Sequence, residues 1–433
     1  MPRGAIPARF RPAAWALADQ CVVSAANFLT VFIFARYLSA TAFGEFAVAQ
    51  TALLLLTSLQ GALLAQPHNV LGAGLPDARY QRFTAALLVA QCAGSLLLCT
   101  LMAAAGFAAA QSYAPRGGSV LFALALATLP WIGQELVRRV LYTRGASRAA
   151  FANDLLTYGL QTGGAFWLVV ALDKGTRAED ALLVLGGSSL VGMLLGAWQL
   201  RGHVSFRGLD RAGLRASLAE VWQSGKWLGA QNMLAWVGAQ GHAWVVALML
   251  GAEQVGLYRA TTHLVNLLNP IRQAAYNYLP ARGSLAFRDG GTAGLSLWAG
   301  RTFRLLALAP LPICVALIAF PSQLLAFAYG ESFATPELAL ILALSAAGQI
   351  FNFVKYPYDI GILVLGAPRT IFYLYLVPVL LLFTVGVAAV YLLGILGVPL
   401  SGLLMNAALL VGTIAAYLRL ASRRLPHASC ALP

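Results

Sequence analysis

The chain has 433 residues; 60% are hydrophobic and only 10% are Asp, Glu, Lys or Arg, against about 25% charged in ordinary soluble domains. So few charges cannot cover a soluble surface, and the apolar content excludes a disordered chain. Five scattered cysteines without a CxxC pair exclude a disulfide scaffold and read as small packing residues, which leaves a polytopic membrane protein.

A helix needs roughly 20 mostly apolar residues to cross a bilayer. In chain order such stretches lie at about 12–35, 43–66, 83–111, 119–137, 150–172, 181–200, 226–250, 255–279, 303–320, 336–357, 370–392 and 396–418. This predicts an all-α fold of twelve spans. The first follows Arg3, Arg9 and Arg11, as in a signal peptide, but no small-residue cleavage site follows the long apolar run, so it reads as a retained helix. The third is long enough to tilt or project from the bilayer. The segment 201–225 carries Arg201, Arg207, Arg211 and Arg215 among Leu209, Leu214, Leu218 and Val221. It is expected to lie as an amphipathic helix on the cytoplasmic membrane surface. It divides the chain into a six-helix lobe over 1–200, a linker over 201–225 and a second six-helix lobe over 226–433.

A net charge of +14 would suggest nucleic acid in a soluble protein. With the N-terminus cytoplasmic, however, most Lys and Arg fall in cytoplasmic segments. Arg36, Arg116, Lys174, Arg177 and Arg259 fall on the opposite side, and Arg272 and Lys355 lie deeper. The positive-inside rule therefore accounts for the basic excess, excludes a nucleic-acid partner and predicts two cytoplasmic termini.

The halves carry a short repeat. Leu38 and Gly44 match Leu250 and Gly256, each expected in the turn between the first and second helix of a half, where a tight turn favours glycine. Pro67 and Pro280 are expected to close the second helices. The run Ala35, Arg36, Tyr37, Leu38, Ser39 with Gly44, Glu45 and Phe46 resembles the first helix pair of the multidrug/oligosaccharidyl-lipid/polysaccharide (MOP) exporter superfamily. Leu250, Gly251, Gly256, Leu257 and Tyr258 resemble its seventh and eighth helices. The stretch around Gly330 resembles the loop after its ninth, and Gly394, Gly397 and Gly402 the start of its twelfth. Length and span count resemble the polysaccharide transporter branch, the Wzx-type flippases. The resemblance implies two six-helix lobes around a cavity lined by helices one, two, seven and eight. It implies alternating access to a polyprenyl-diphosphate-linked glycan in the bacterial inner membrane, alongside membrane lipids, polysaccharide polymerase and chain-length machinery. It implies no organic cofactor or metal centre, and coupling to H+, Na+ or the membrane potential.

Ionisable and amide side chains inside spans are functional candidates. On an ideal helix of about 100° per residue, Arg259, His263, Asn266, Gln273 and Asn277 share an arc about 80° wide, broken by Pro270. Such an arc must face a helix interface or a wet cavity, whereas Arg272 falls off the stripe. Asn27 in the first span, Gln50 in the second and Gln231 in the seventh add amides. A diphosphate calls for Arg259 and Arg272, and a glycan for amides and hydroxyls. Asp19 and Glu45 are candidates for ion coupling or charge pairing. Glu135, Arg138 and Arg139 read as a cytoplasmic anchor, and Lys355 with Asp359, spaced i, i+4, as an ion pair.

No nucleotide-binding GxxxxGK[ST], HExxH or GxSxG motif is present, and a transporter rather than an enzyme is expected. The alternatives are a cation-coupled multidrug exporter of the same superfamily and, from another class, a membrane polysaccharide polymerase or ligase.

Overall fold

A computed structural model describes residues 11–65, 67–68, 71, 75–111, 115–172 and 176–424, with some side chains excepted. The helices are α1 (Arg11–Tyr37), α2 (Ala40–Gln60, continued by a π-turn at Gly61–Ala65), α3 (Asp77–Gln111), α4 (Pro115–Thr143), α5 (Ser147–Leu172), α6 (Ala178–Gln199), α7 (Arg211–Leu250) and α8 (Ala252–His263). A 3-10 segment, Leu264–Leu268, leads into α9 (Asn269–Leu308). Then come α10 (Leu311–Ala319), α11 (Pro321–Tyr329), α12 (Pro336–Val364), α13 (Pro368–Leu381), α14 (Val387–Leu393) and α15 (Gly397–Arg424). Over the described residues each of the twelve predicted apolar stretches falls mainly on helix.

Eight segments of the described residues are long and apolar enough to cross a membrane, and one, Arg369–Arg423, runs through α13, α14 and α15. Helix α8, with 12 residues, is too short for that set, and Gln240–Leu250 of α7 forms a shorter apolar helix. Large apolar side chains stand outward, among them Leu126, Trp167, Leu248 and Phe327. Hydrocarbon tolerates this where water would not. The protein is an all-α polytopic membrane protein.

Its chain forms two compact units, Met1–Trp236 and Val237–Pro433. In the first, α1 packs along α5, α4 packs against α3 and α6, and α2 rests on α4. Small residues let α6 approach its neighbours, as between helices in lipid. A Cβ at Gly186 would stand 2.8 Å from the Ala127 Cα on α4. We expect Gly186→Val to cost about 1–3 kcal/mol by overpacking, read as a lower unfolding temperature in detergent. An unchanged midpoint would refute this contact. In the second unit α12 is central, touching α8, α9, α10 and α15.

Three details depart from the sequence expectations. Residues 211–225 are not a separate surface helix; they are the first turns of the unbroken α7, and 201–210 is turn and coil. Gly44 and Gly256 are not turn residues but lie buried within α2 and α8. The turn glycine is Gly251 (φ 88°), and the repeat persists in the matching helix starts at Ala40 and Ala252. Pro280 does not close a helix either, because α9 runs past it to Gly290 and Gly291, where non-helical backbone separates two helical stretches.

Candidate functional site

Both units bury ionisable groups. In the first, Asp19 of α1 and Asp154 of α5 are 1% and 0% exposed and share one cation, Arg138 of α4. Arg138 Nη2 donates to Asp19 Oδ2 at 2.9 Å, and its Nε donates to Asp154 Oδ2. Tyr142 Oη donates to Asp19 Oδ2 at 2.5 Å and Gln134 Nε2 to Asp154 Oδ1 at 2.9 Å. Arg138 Nη1 also lies 3.5 Å from Glu135, whose other oxygen takes Arg139 Nε at 2.7 Å. The expected anchor of Glu135, Arg138 and Arg139 is thus the edge of a buried network. Asn27 enters a neutral network instead: Gln161 Nε2 donates to Asn27 Oδ1 and Thr30 Oγ1, both at 3.2 Å, joining α1 to α5. Gln50 is half-buried, as is Glu45, which is already engaged.

The second unit carries positive charge. Arg259 of α8 is half-buried and donates through Nη2 to Gln240 Oε1 of α7 at 2.5 Å. Among the described residues no carboxylate lies within salt-bridge distance of it, and its Nε is buried without a hydrogen bond. His263 turns inward, its Nδ1 3.4 Å from Tyr329 Oη. The 3-10 segment after it changes the register. Each 3-10 residue advances about 20° more than an α residue, so Leu264–Leu268 rotate the start of α9 by about 100°. By that ideal geometry Arg272 moves to about 40° from Arg259. Asn266, within the segment, is exposed; the side chains of Gln231, Gln273 and Asn277 lie outside the described residues.

Arg272 donates to Asn269 and lines a cavity of about 190 Å³ with Gln349, Asn352, Lys355, Tyr356 and Tyr375. Lys355 of α12 is buried; its Nζ donates to Asp359 Oδ2 at 2.5 Å and Tyr375 Oη at 2.9 Å. An ammonium has three donors, so one remains for a guest. Two cations against one carboxylate leave the cavity net positive.

The sequence matches no family model and no curated protein. Solved structures do match. A multidrug-resistance MATE-family transporter of the MOP superfamily, inward-facing, is 13% identical with a TM-score of 0.73, covering 95% of this chain and 100% of that one. The lipid II flippase MurJ, in an inward closed conformation, is 12% identical with a TM-score of 0.70, covering 95% of this chain and 90% of its own. The chain has the MOP-transporter fold. A third MOP structure, from Pyrococcus furiosus, was described as having a binding pocket of reverse polarity suggesting a different function; it is 14% identical with a TM-score of 0.65 and covers 95% of both chains.

On this MOP fold, sequence reasoning passed over Asp154, although a carboxylate in an apolar run is itself a signal. It also passed over the polar cavity wall of α12 and α13, whose residues meet only in three dimensions.

Proposed function

We propose that the chain is a flippase of the polysaccharide transporter type. It would move a polyprenyl-diphosphate-linked oligosaccharide from the cytoplasmic to the outer face of a bacterial inner membrane by alternating access, with both termini cytoplasmic. The observation that carries this reading is the uncompensated cation Arg259, with Arg272 and Lys355 outnumbering Asp359 deeper in the same unit. A charge held in a membrane span is costly unless it is paired, and a diphosphate supplies the missing negative charge. Arg259 and Arg272 hold the diphosphate, with Lys355 as the third cation. The glycan would call for amide partners, for which Gln50, Gln231, Asn266 and Gln273 are the candidates on sequence, with Asn27 and His263 engaged within their own units. The tail stays in lipid, and polymerase and chain-length proteins receive the product.

The lining supports an anionic headgroup in the α9–α12 cavity, of about 190 Å³, where Arg272 and Lys355 stand beside Gln349 and Asn352. The competing exporter of cationic drugs would want uncompensated carboxylates, whereas Asp19, Asp154 and Asp359 all face cations. Purified protein in proteoliposomes decides between them. Acceleration of polyprenyl-diphosphate-glycan crossing over protein-free vesicles is expected. No acceleration, together with cation-driven efflux of a dye, would replace the flippase by the drug exporter.

A second expectation concerns Lys355. Its replacement by Met leaves Asp359 buried and alone, so Lys355→Met should lower both stability and rate. Lys355→Met with Asp359→Leu removes both charges and should restore stability but not rate. Recovery of the rate in the double variant, measured in the same vesicles, would make the pair purely structural.

A further inference from the structure

The carboxylates of Asp19 and Asp154 are the groups in the first unit to which a coupling metal ion would be drawn. The two come from helices far apart in sequence, are buried, and bring one oxygen each to a common point. That point is taken. Arg138 presents two adjacent N–H groups on one edge of its planar fork, Nε to Asp154 and Nη2 to Asp19, the geometry for which a guanidinium is built. The remaining oxygens fit a metal no better. Asp154 Oδ1 already accepts from Gln134, Asp19 Oδ2 also takes Tyr142, and only Asp19 Oδ1 is buried without a partner. A hard cation gathers several oxygens, and one open oxygen beside a fixed positive charge does not supply them. Among the described residues no His, Cys, Asp and Glu side chains come together as a metal-holding group.

We propose that Arg138 is the resident cation of the first unit: its guanidinium occupies the position between Asp19 and Asp154 that an exchangeable metal ion would need, and the transport cycle proceeds without sodium binding there. The carboxylate excess is solvated by the hydrogen bonds of Tyr142 and Gln134 rather than by a second cation. This inference is independent of the substrate, because it concerns one unit's interior. It sets the chain apart from a sodium-driven exporter working through these carboxylates.

The test is the unfolding midpoint of the full-length protein in detergent, in NaCl, LiCl and KCl at one ionic strength. For the wild type the three midpoints are expected to coincide. In Arg138→Gln the guanidinium is gone, an amide donor is kept and a carbonyl oxygen is added. Sodium or lithium should then raise the midpoint by about 5 °C over potassium, and adding Asp154→Asn should abolish that rise. A sodium-specific rise in the wild type that Asp19→Asn removes would overturn the proposal. So would a folded Arg138→Gln with no cation preference. Should Arg138→Gln not accumulate, wild-type translocation in vesicles with all sodium exchanged for potassium decides: an unchanged rate supports the resident cation and a collapse of the rate refutes it. The midpoints need no substrate, so they stand or fall separately from the flippase reading.

Discussion

Arg138→Leu is expected to remove about 3–5 kcal/mol of stability, the scale of a buried ion pair that loses one partner. Two carboxylates at 1% and 0% exposure would face each other with no cation between them. Two comparisons make the prediction specific. Arg139 is bonded to the same Glu135, but its side chain is 38% exposed, so Arg139→Leu should cost no more than about 1 kcal/mol. Asp154→Asn leaves Asp19 and Arg138 as a matched pair and should cost less than removing Arg138, at about 1–3 kcal/mol for the lost charged hydrogen bond. Unfolding of the three variants in detergent checks the order. Equal losses for Arg138→Leu and Arg139→Leu would mean that the network does not hold α1, α4 and α5 together.

The second large effect is on transport. Arg259→Ala is expected to slow translocation about 10- to 100-fold, from about 1.5–3 kcal/mol for a hydrogen bond to a charged group at 1.4 kcal/mol per tenfold. Lysine at this place keeps the charge but not the fork, so Arg259→Lys should recover part of the rate. Gln240→Leu removes the neutral acceptor that positions the guanidinium and should raise the substrate concentration needed more than it lowers the maximal rate. Initial rates in proteoliposomes at matched protein content check all three. A wild-type rate in a stably inserted Arg259→Ala protein would remove Arg259 from the substrate's path.

The spans were readable because hydrocarbon demands long apolar runs, and such runs persist in any fold. Charge placement was readable only where the helix ends were right. Ending the fourth span at 137 put Arg138 among the headgroups; α4 continues to Thr143 and carries Arg138 into the interior beside Asp19. The wheel drawn from Arg259 assumes one α-helix throughout, and nothing in the sequence of Leu264–Leu268 marks the change from α to 3-10 geometry. That change turns Arg272 toward the Arg259 side. Lys355 and Asp359 were readable from their spacing alone, since i, i+4 partners meet on one helix whatever surrounds it. Arg272 and Tyr375 could not be joined to them, because contacts between separate helices leave no local trace.

The turn at Gly290 and Gly291 bears on how the protein reaches the membrane. The helix before it carries Arg272, with Arg259 on α8 just ahead, and a central Arg costs about 2.5–3.5 kcal/mol during insertion. The stretch from Arg282 through Ala319 holds an apolar window long enough to cross a membrane and contains the next span. Two glycines, with φ of −136° and 57°, are all that separates the helical stretches. A join this short makes the polar helix and its apolar successor enter as one hairpin, so the second supplies the partition energy that the first lacks. Lengthening the join would cut that tie, and the cost would be paid in biogenesis, before any substrate is met.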